Sequence, residues 1–244
     1  MRNFLLFAFA FIMAAGCTDM MGVDETQREW KVEDNSMTWG LHEYTISGSI
    51  PALEYDKDGV LLSPLPKAPT AWVTFTFNPE GYNEFSTVYK EFLGKSKAGA
   101  AAMIPMAMEL YGRNRSTGEK CLKLLFGTSS NAEPIIRELD SKMYRSSYSP
   151  ANDQYVQRYL PAALLKGARA ENAYSPYEPY TVQMLASATR DQQGYEFLNI
   201  FSEAWDTNLR GVELKKSGDY YIVTNCPSCY SQCKVIIGEW AGLL

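Results

Sequence analysis

The feature that most constrains this chain is a helical block set between two strand-rich ones. Across residues 83–143 apolar side chains recur at helical spacing, while stretches on either side carry the β-branched and aromatic alternation of strands. Within the block, residues 97–111 are rich in Ala and Met and are interrupted by Pro105, which predicts a kinked helix. Its small side chains predict close helix packing, and its methionines read as core rather than as a binding stripe. Helices followed by an antiparallel meander make an α+β domain. The expected fold has helices packed on one face of a mostly antiparallel C-terminal sheet, with an N-terminal β segment ahead of them. A cone-like sheet of the nuclear-transport-factor-like type is one version of it.

Local signals fill in this outline. Asn83 is placed to cap a helix carrying Phe85, Val88, Tyr89 and Phe92, with Gly94 as its stop. Ser116 and Glu119 have capping-box spacing ahead of Leu122, Leu125 and Phe126, and Ser130 with Glu133 repeat it before Ile135, Leu139 and Met143. Residues 38–50 read as a strand, 62–69 as a Pro-rich loop and 71–77 as a strand. Further strands are predicted at 180–186, 195–201, 209–215 and 220–224, with Ser217-Gly218-Asp219 turning the last pair.

The first residues form a second strong signal. Met1-Arg2-Asn3 precedes a ten-residue apolar run at 4–13, too short for a permanent span but suited to a signal-peptide core. Ala14-Ala15-Gly16-Cys17 resembles the bacterial lipobox, with Ala14 where Leu, Val or Ile is usual. This predicts a signal peptide over 1–16, lipid attachment at Cys17, a polar tether over 17–36, an N-terminal β segment over 37–82 and an α+β domain over 83–244. Each buried acyl methylene contributes roughly 0.8 kcal/mol, so several chains on one residue hold durably. The expected location is extracytoplasmic, anchored at the outer membrane or a periplasmic face.

Charge excludes one class of partner. The 23 Lys and Arg face 28 Asp and Glu, a net charge of −5, and no dense basic patch occurs. Nucleic acid binding needs clustered cations to displace phosphate counterions, so it is not expected.

Candidate chemistry is sparse. Cys226, Cys229 and Cys233 cluster near the C-terminus, with Cys121 the remaining candidate. They suit a structural disulfide or adventitious free thiols, a four-ligand metal site or a C-x-x-C redox motif, and spacing alone does not choose among these. Cys121 lies on an apolar helix face, where a buried reduced thiol is expected. Tyrosines crowd residues 144–180, and Tyr174, Tyr177 and Tyr180 with Lys166, Glu171 and Asn172 are candidate ligand contacts; equally, the rings pack and the polar groups satisfy loop backbone. A serine or cysteine triad would need His42, the sole histidine, with an acid at hand, and no G-x-S-x-G elbow or phosphate loop is present. Pairs such as Glu171 with Glu178 or Asp206 suit glycosidase work in principle, though 28 acids make chance pairings common. No cofactor is expected.

Three stretches carry a resemblance. They are Gly99-Ala100-Ala101-Ala102-Met103 leading to Leu110-Tyr111; Leu160-Pro161, Lys166-Gly167-Ala168, Glu171-Asn172-Ala173-Tyr174-Ser175-Pro176 and Pro179-Tyr180; and Gly211-Val212-Glu213-Leu214-Lys215-Lys216 with Gly218 and Tyr220-Tyr221. Together, over about 85–240, they resemble an uncharacterised domain family of gut-bacterial (Bacteroidetes and Firmicutes) secreted lipoproteins, a domain of unknown function. The resemblance implies one α+β domain there and no activity. Where that family ends in a plain strand, this chain has the cysteine-bearing segment 226–233.

The leading expectation is a membrane-anchored lipoprotein that binds a glycan, peptide or envelope protein without catalysis. The rivals are a glycan or peptide hydrolase using unidentified carboxylates, and a thiol-redox or metal protein built on the cysteine cluster.

Overall fold

The computed structural model describes residues 29–144, 159–231 and 233–234; the leader, Cys17 and most of the predicted tether lie outside them. The chain first forms strands β1 (Trp30–Glu33), β2 (Ser36–Trp39), β3 (His42–Gly48) and β4 (Ala71–Phe75). Helices α1 (Tyr82–Glu91), α2 (Lys97–Arg113), α3 (Arg115–Leu125) and α4 (Ser129–Met143) follow. Strands β5 (Tyr180–Ala186), β6 (Tyr195–Phe201), β7 (Leu209–Ser217) and β8 (Tyr220–Asn225) complete the α+β fold. All eight strands make one antiparallel sheet in the order β1 to β8. The helices enter between β4 and β5, which nevertheless pair directly, Val73 opposite Val182 and Phe75 opposite Tyr180. The N-terminal β segment and the C-terminal meander are therefore two halves of one sheet.

Strand alternation sends one face inward. Ala71, Val73, Phe75, Val182, Met184, Leu198, Ile200, Val212, Leu214 and Val223 are buried at every second position. Helix α2 lies against this face, touching β4, β7 and β8, and takes α1, α3 and α4 on its other sides. A helix covered all round has no use for a polar face, and residues from Ala98 to Met108 are buried without a break. That is why its sequence is Ala and Met. Pro105 does not end the helix. The proline costs about 3 kcal/mol, and burial of Met103, Ile104, Met106 and Met108 returns about 1.5–3 kcal/mol apiece.

The small residues act as expected at two contacts. A Cβ on Gly118 of α3 would lie 2.1 Å from the Tyr111 Cα of α2, and one on Gly99 would lie 2.1 Å from the Leu93 carbonyl oxygen. Helix starts fall elsewhere than expected. Gly81 precedes α1 without a side-chain cap. Asn114 caps α3 by accepting from Thr117 N at 3.0 Å, and Thr128 caps α4 by accepting from Asn131 N at 3.1 Å. Each is two residues upstream of the expected serine, because an earlier side chain already satisfies a free first-turn N–H. Residues 38–50 are not a single strand but the end of β2 and all of β3, turned at Gly40 (φ 58°), a left-handed angle that glycine takes at no steric cost. Strand β1 occupies part of the stretch read as tether; all four of its residues are exposed, so it carries no core signature.

Candidate binding cavity

The chain returns from the helical layer to β5 through residues 159–179, and local chemistry dictates their path. Gly167 (φ 83°) lies under the ring of Tyr177, which a Cβ would approach to 2.8 Å. Asn172 organises the turn: its amide donates to the carbonyls of Gly167 (2.8 Å) and Ser175 (3.0 Å), and its oxygen accepts from Arg169 N at 2.9 Å. Those bonds hold Ala173 and Tyr174 at left-handed φ of 52° and 55°, a conformation costing non-glycine residues on the order of 1–3 kcal/mol each. Tyr174 is buried, its ring tilted against Tyr159 at 5.9 Å and its hydroxyl donating to the Lys234 carbonyl.

This turn forms one wall of a cavity of about 540 Å³, a size that suits a small ligand. Pro105 and Glu109 of α2 face it, with Tyr159, Pro161 and Leu165 beside them, and Tyr174, Pro176, Glu178 and Tyr180 opposite. Tyr180 is braced edge-on by Phe75 at 5.6 Å. Rings and prolines thus supply rigid apolar surface, and Asn78, Glu109 and Glu178 supply hydrogen-bonding groups. Burial pushes the Glu109 carboxyl above the usual carboxylate range, opposed by Arg113, whose Nη2 donates to Glu109 Oε2 at 3.0 Å. Arg113 is also tied to the Pro79 carbonyl at 2.5 Å, so Glu109 is held from behind.

Of the six candidate ligand contacts, Tyr174 and Tyr180 line this cavity. Asn172 serves the loop backbone instead. Tyr177 covers Gly167 and accepts from Arg169 Nη2 at 3.2 Å. Lys166 holds the loop through its backbone, its N–H donating to Thr181 O and its carbonyl accepting from Tyr177 N, and Glu171 is exposed. Of the polar cavity residues, sequence reading missed Asn78 and Glu109, and Glu109 is the one that faces the cavity from α2. Its signal was present: it is the one acid in an otherwise apolar helix.

Cys121, Cys226, Cys229 and Cys233 are all buried, and none of them is in a disulfide. Cys226 and Cys229 adjoin one another at a short 3₁₀ turn, Pro227–Cys229, where Cys229 N donates to Cys226 O at 2.9 Å. The hydrogen bond with the Cys229 thiol, and then burial, push the Cys226 thiol well above its ordinary value. That is the reverse of the lowered pKa a reactive C-x-x-C needs. Among the described residues no group of three His, Cys, Asp or Glu is placed to hold a metal ion.

His42 does have an acid at hand. Its Nδ1 lies 2.6 Å from Glu84 Oε1, which also accepts from the Tyr44 hydroxyl at 2.7 Å, while Glu80 N donates to Glu84 Oε2 at 2.7 Å. Glu84 is fully buried, and Glu80 Oε1 stands 3.6 Å from His42 Nε2. Burial and the neighbouring Glu84 raise the Tyr44 phenol far above its ordinary value, keeping it a donor. Among the described residues His42 makes no hydrogen bond to a serine, threonine or cysteine. The cluster clasps β3 to the first turn of α1, a structural duty.

The fold is α+β, and helix α2 with the turn that returns to β5 borders the cavity lined by Glu109 and Tyr180. Residues 78–237 match a family described as a domain of unknown function (DUF6935), and the chain belongs to that family. No curated protein and no solved structure matches the chain.

Proposed function

We propose that the chain is an exported lipoprotein, anchored through Cys17, whose cavity binds a small glycan or peptide segment without transforming it. The N-terminal sequence supports the anchor: a short positive start, an apolar run and Ala14-Ala15-Gly16-Cys17. The observation that carries the binding reading is the cavity of about 540 Å³ walled by Tyr159, Tyr174 and Tyr180, with Glu109 fixed at its edge. The half-buried Tyr180 ring offers a stiff face for a sugar or peptide plane, backed by the buried Tyr159 and Tyr174, and a few placed polar groups set orientation.

Two experiments test this. Mass spectrometry of the mature chain should find a diacylglyceryl group on Cys17 as the first residue, and Cys17→Ser should release the protein from membranes. Glycan and peptide arrays should give a binder whose affinity falls about tenfold or more in Tyr180→Ala, the loss of one stacked ring with its hydroxyl. Silence on every array would end the binding reading. A second reading rests on the raised Glu109 carboxyl sharing the cavity with Glu178, a pairing that suits acid-assisted glycoside cleavage. Ligand turnover by the parent chain, abolished in Glu109→Gln, would replace binding with hydrolysis.

A further inference from the structure

Helices α1 and α3 and the β7–β8 hairpin line a second, shallow and open hollow of about 490 Å³, distinct from the first. Its floor is aromatic and fixed. The rings of Tyr89 and Tyr220 stack at 5.7 Å and 28°, and the Tyr89 hydroxyl donates to the Tyr221 carbonyl at 3.0 Å. Tyr82, Leu124 and Ile222 extend the apolar surface, and the rim carries Lys90, Lys120 and Lys123. Only Lys123 is paired, with Glu119 at 2.6 Å. Lys90 and Lys120 are exposed and have no hydrogen-bond or ion-pair partner among the described residues.

No carboxylate lines the hollow, although acids outnumber bases in the chain as a whole. Two free ammonium groups beside stacked rings complement a ligand with a flat apolar face and one or two anionic groups. A sugar ring bearing a carboxylate has both: its C–H face lies on the half-buried rings of Tyr82 and Tyr220, which the buried Tyr89 backs, and its carboxylate meets lysine. A membrane surface fits less well. The exposed large apolar side chains, such as Leu41, Val60 and Leu62, lie elsewhere, and none lines this hollow to enter an acyl layer. We infer that the Tyr89–Tyr220 groove is a binding site for acidic oligosaccharides of the uronate type.

The probe is tetragalacturonate, titrated calorimetrically into the mature chain. Binding is expected to weaken as salt rises, with a neutral oligosaccharide of equal length binding far more weakly. Lys90→Gln and Lys120→Gln should each reduce affinity about fivefold, the value of an exposed ion pair, and leave thermal unfolding unchanged. Tyr180→Ala, in the other cavity, should leave tetragalacturonate affinity untouched, which separates this site from the one proposed above. No binding, equal binding of the neutral sugar, undiminished binding by the two lysine variants, or tighter binding to phosphatidylserine vesicles would each overturn the inference.

Discussion

Replacing Glu84 with leucine tests whether the buried clasp is structural. The substitution removes both acceptor oxygens while roughly keeping volume, taking the acceptor from His42 Nδ1, the Tyr44 hydroxyl and Glu80 N. An unsatisfied buried donor costs about 1–3 kcal/mol. His42 can relieve one by moving its proton to Nε2, towards Glu80. Glu80 is exposed, so water can serve its N–H; the buried Tyr44 hydroxyl and the lost bonds set an expected loss of about 2–3 kcal/mol. In a chain of this size each kcal/mol shifts Tm by roughly 2–4 °C, so Tm should fall by roughly 4–12 °C. Glu84→Gln keeps one oxygen and turns its amide towards a donor, and should lose about 1–2 kcal/mol; Tyr44→Phe removes one donor and should lose about 1 kcal/mol. Urea unfolding followed by far-UV circular dichroism gives all three values. A leucine variant within about 0.5 kcal/mol of the parent would refute the reasoning, because a stranded buried hydroxyl cannot be that cheap.

Three further outcomes are expected. Gly118→Ala should destabilise by about 2 kcal/mol or more, although the same change in an exposed helix gains about 1 kcal/mol, since the new Cβ would meet Tyr111 backbone at 2.1 Å; a stabilised variant in denaturant melts would count against the packing. Burial and Tyr220 hold the Tyr89 phenol up to about 12, while the unfolded phenol ionises near 10. Its stability contribution is therefore whole below pH 10 and lost between about 10 and 12, and Tyr89→Phe should flatten part of that decline in urea midpoints. Cys121, Cys226, Cys229 and Cys233, being buried, should resist iodoacetamide in the folded chain and react in guanidinium, as counted by intact mass; full labelling without denaturant would contradict their burial.

Much of the fold was legible because local signals agreed with the final packing. Strands β5 and β6 were read to the residue: alternation is clean, and Pro179 and Gly194 mark where each begins. Helix α2 announced its central position through composition alone. Helix starts slipped where several capping side chains compete within a few residues, as with Asn114 and Ser116. The His42–Glu84 contact was invisible, being made between side chains 42 positions apart, on a strand and a helix. So was the direct pairing of β4 with β5, since nothing in either strand names its partner across the helical block. In the cavity, tyrosine density pointed to Tyr174 and Tyr180, but loop polarity also pointed to Asn172 and Tyr177, which turned out to brace the turn.

The pairing of β4 with β5 has a consequence for how the chain is made. The ribosome finishes β4 before any of the residues that separate it from its neighbour, and those 76–179 take roughly 5–20 s to synthesise. Over that interval β4 offers a bare edge and the apolar side chains Ala71, Val73 and Phe75, the kind of surface that recruits strangers. Holding the nascent chain apart from its own copies until Tyr180 arrives is then a requirement of this topology, and slowing elongation through the helical block should raise the insoluble fraction.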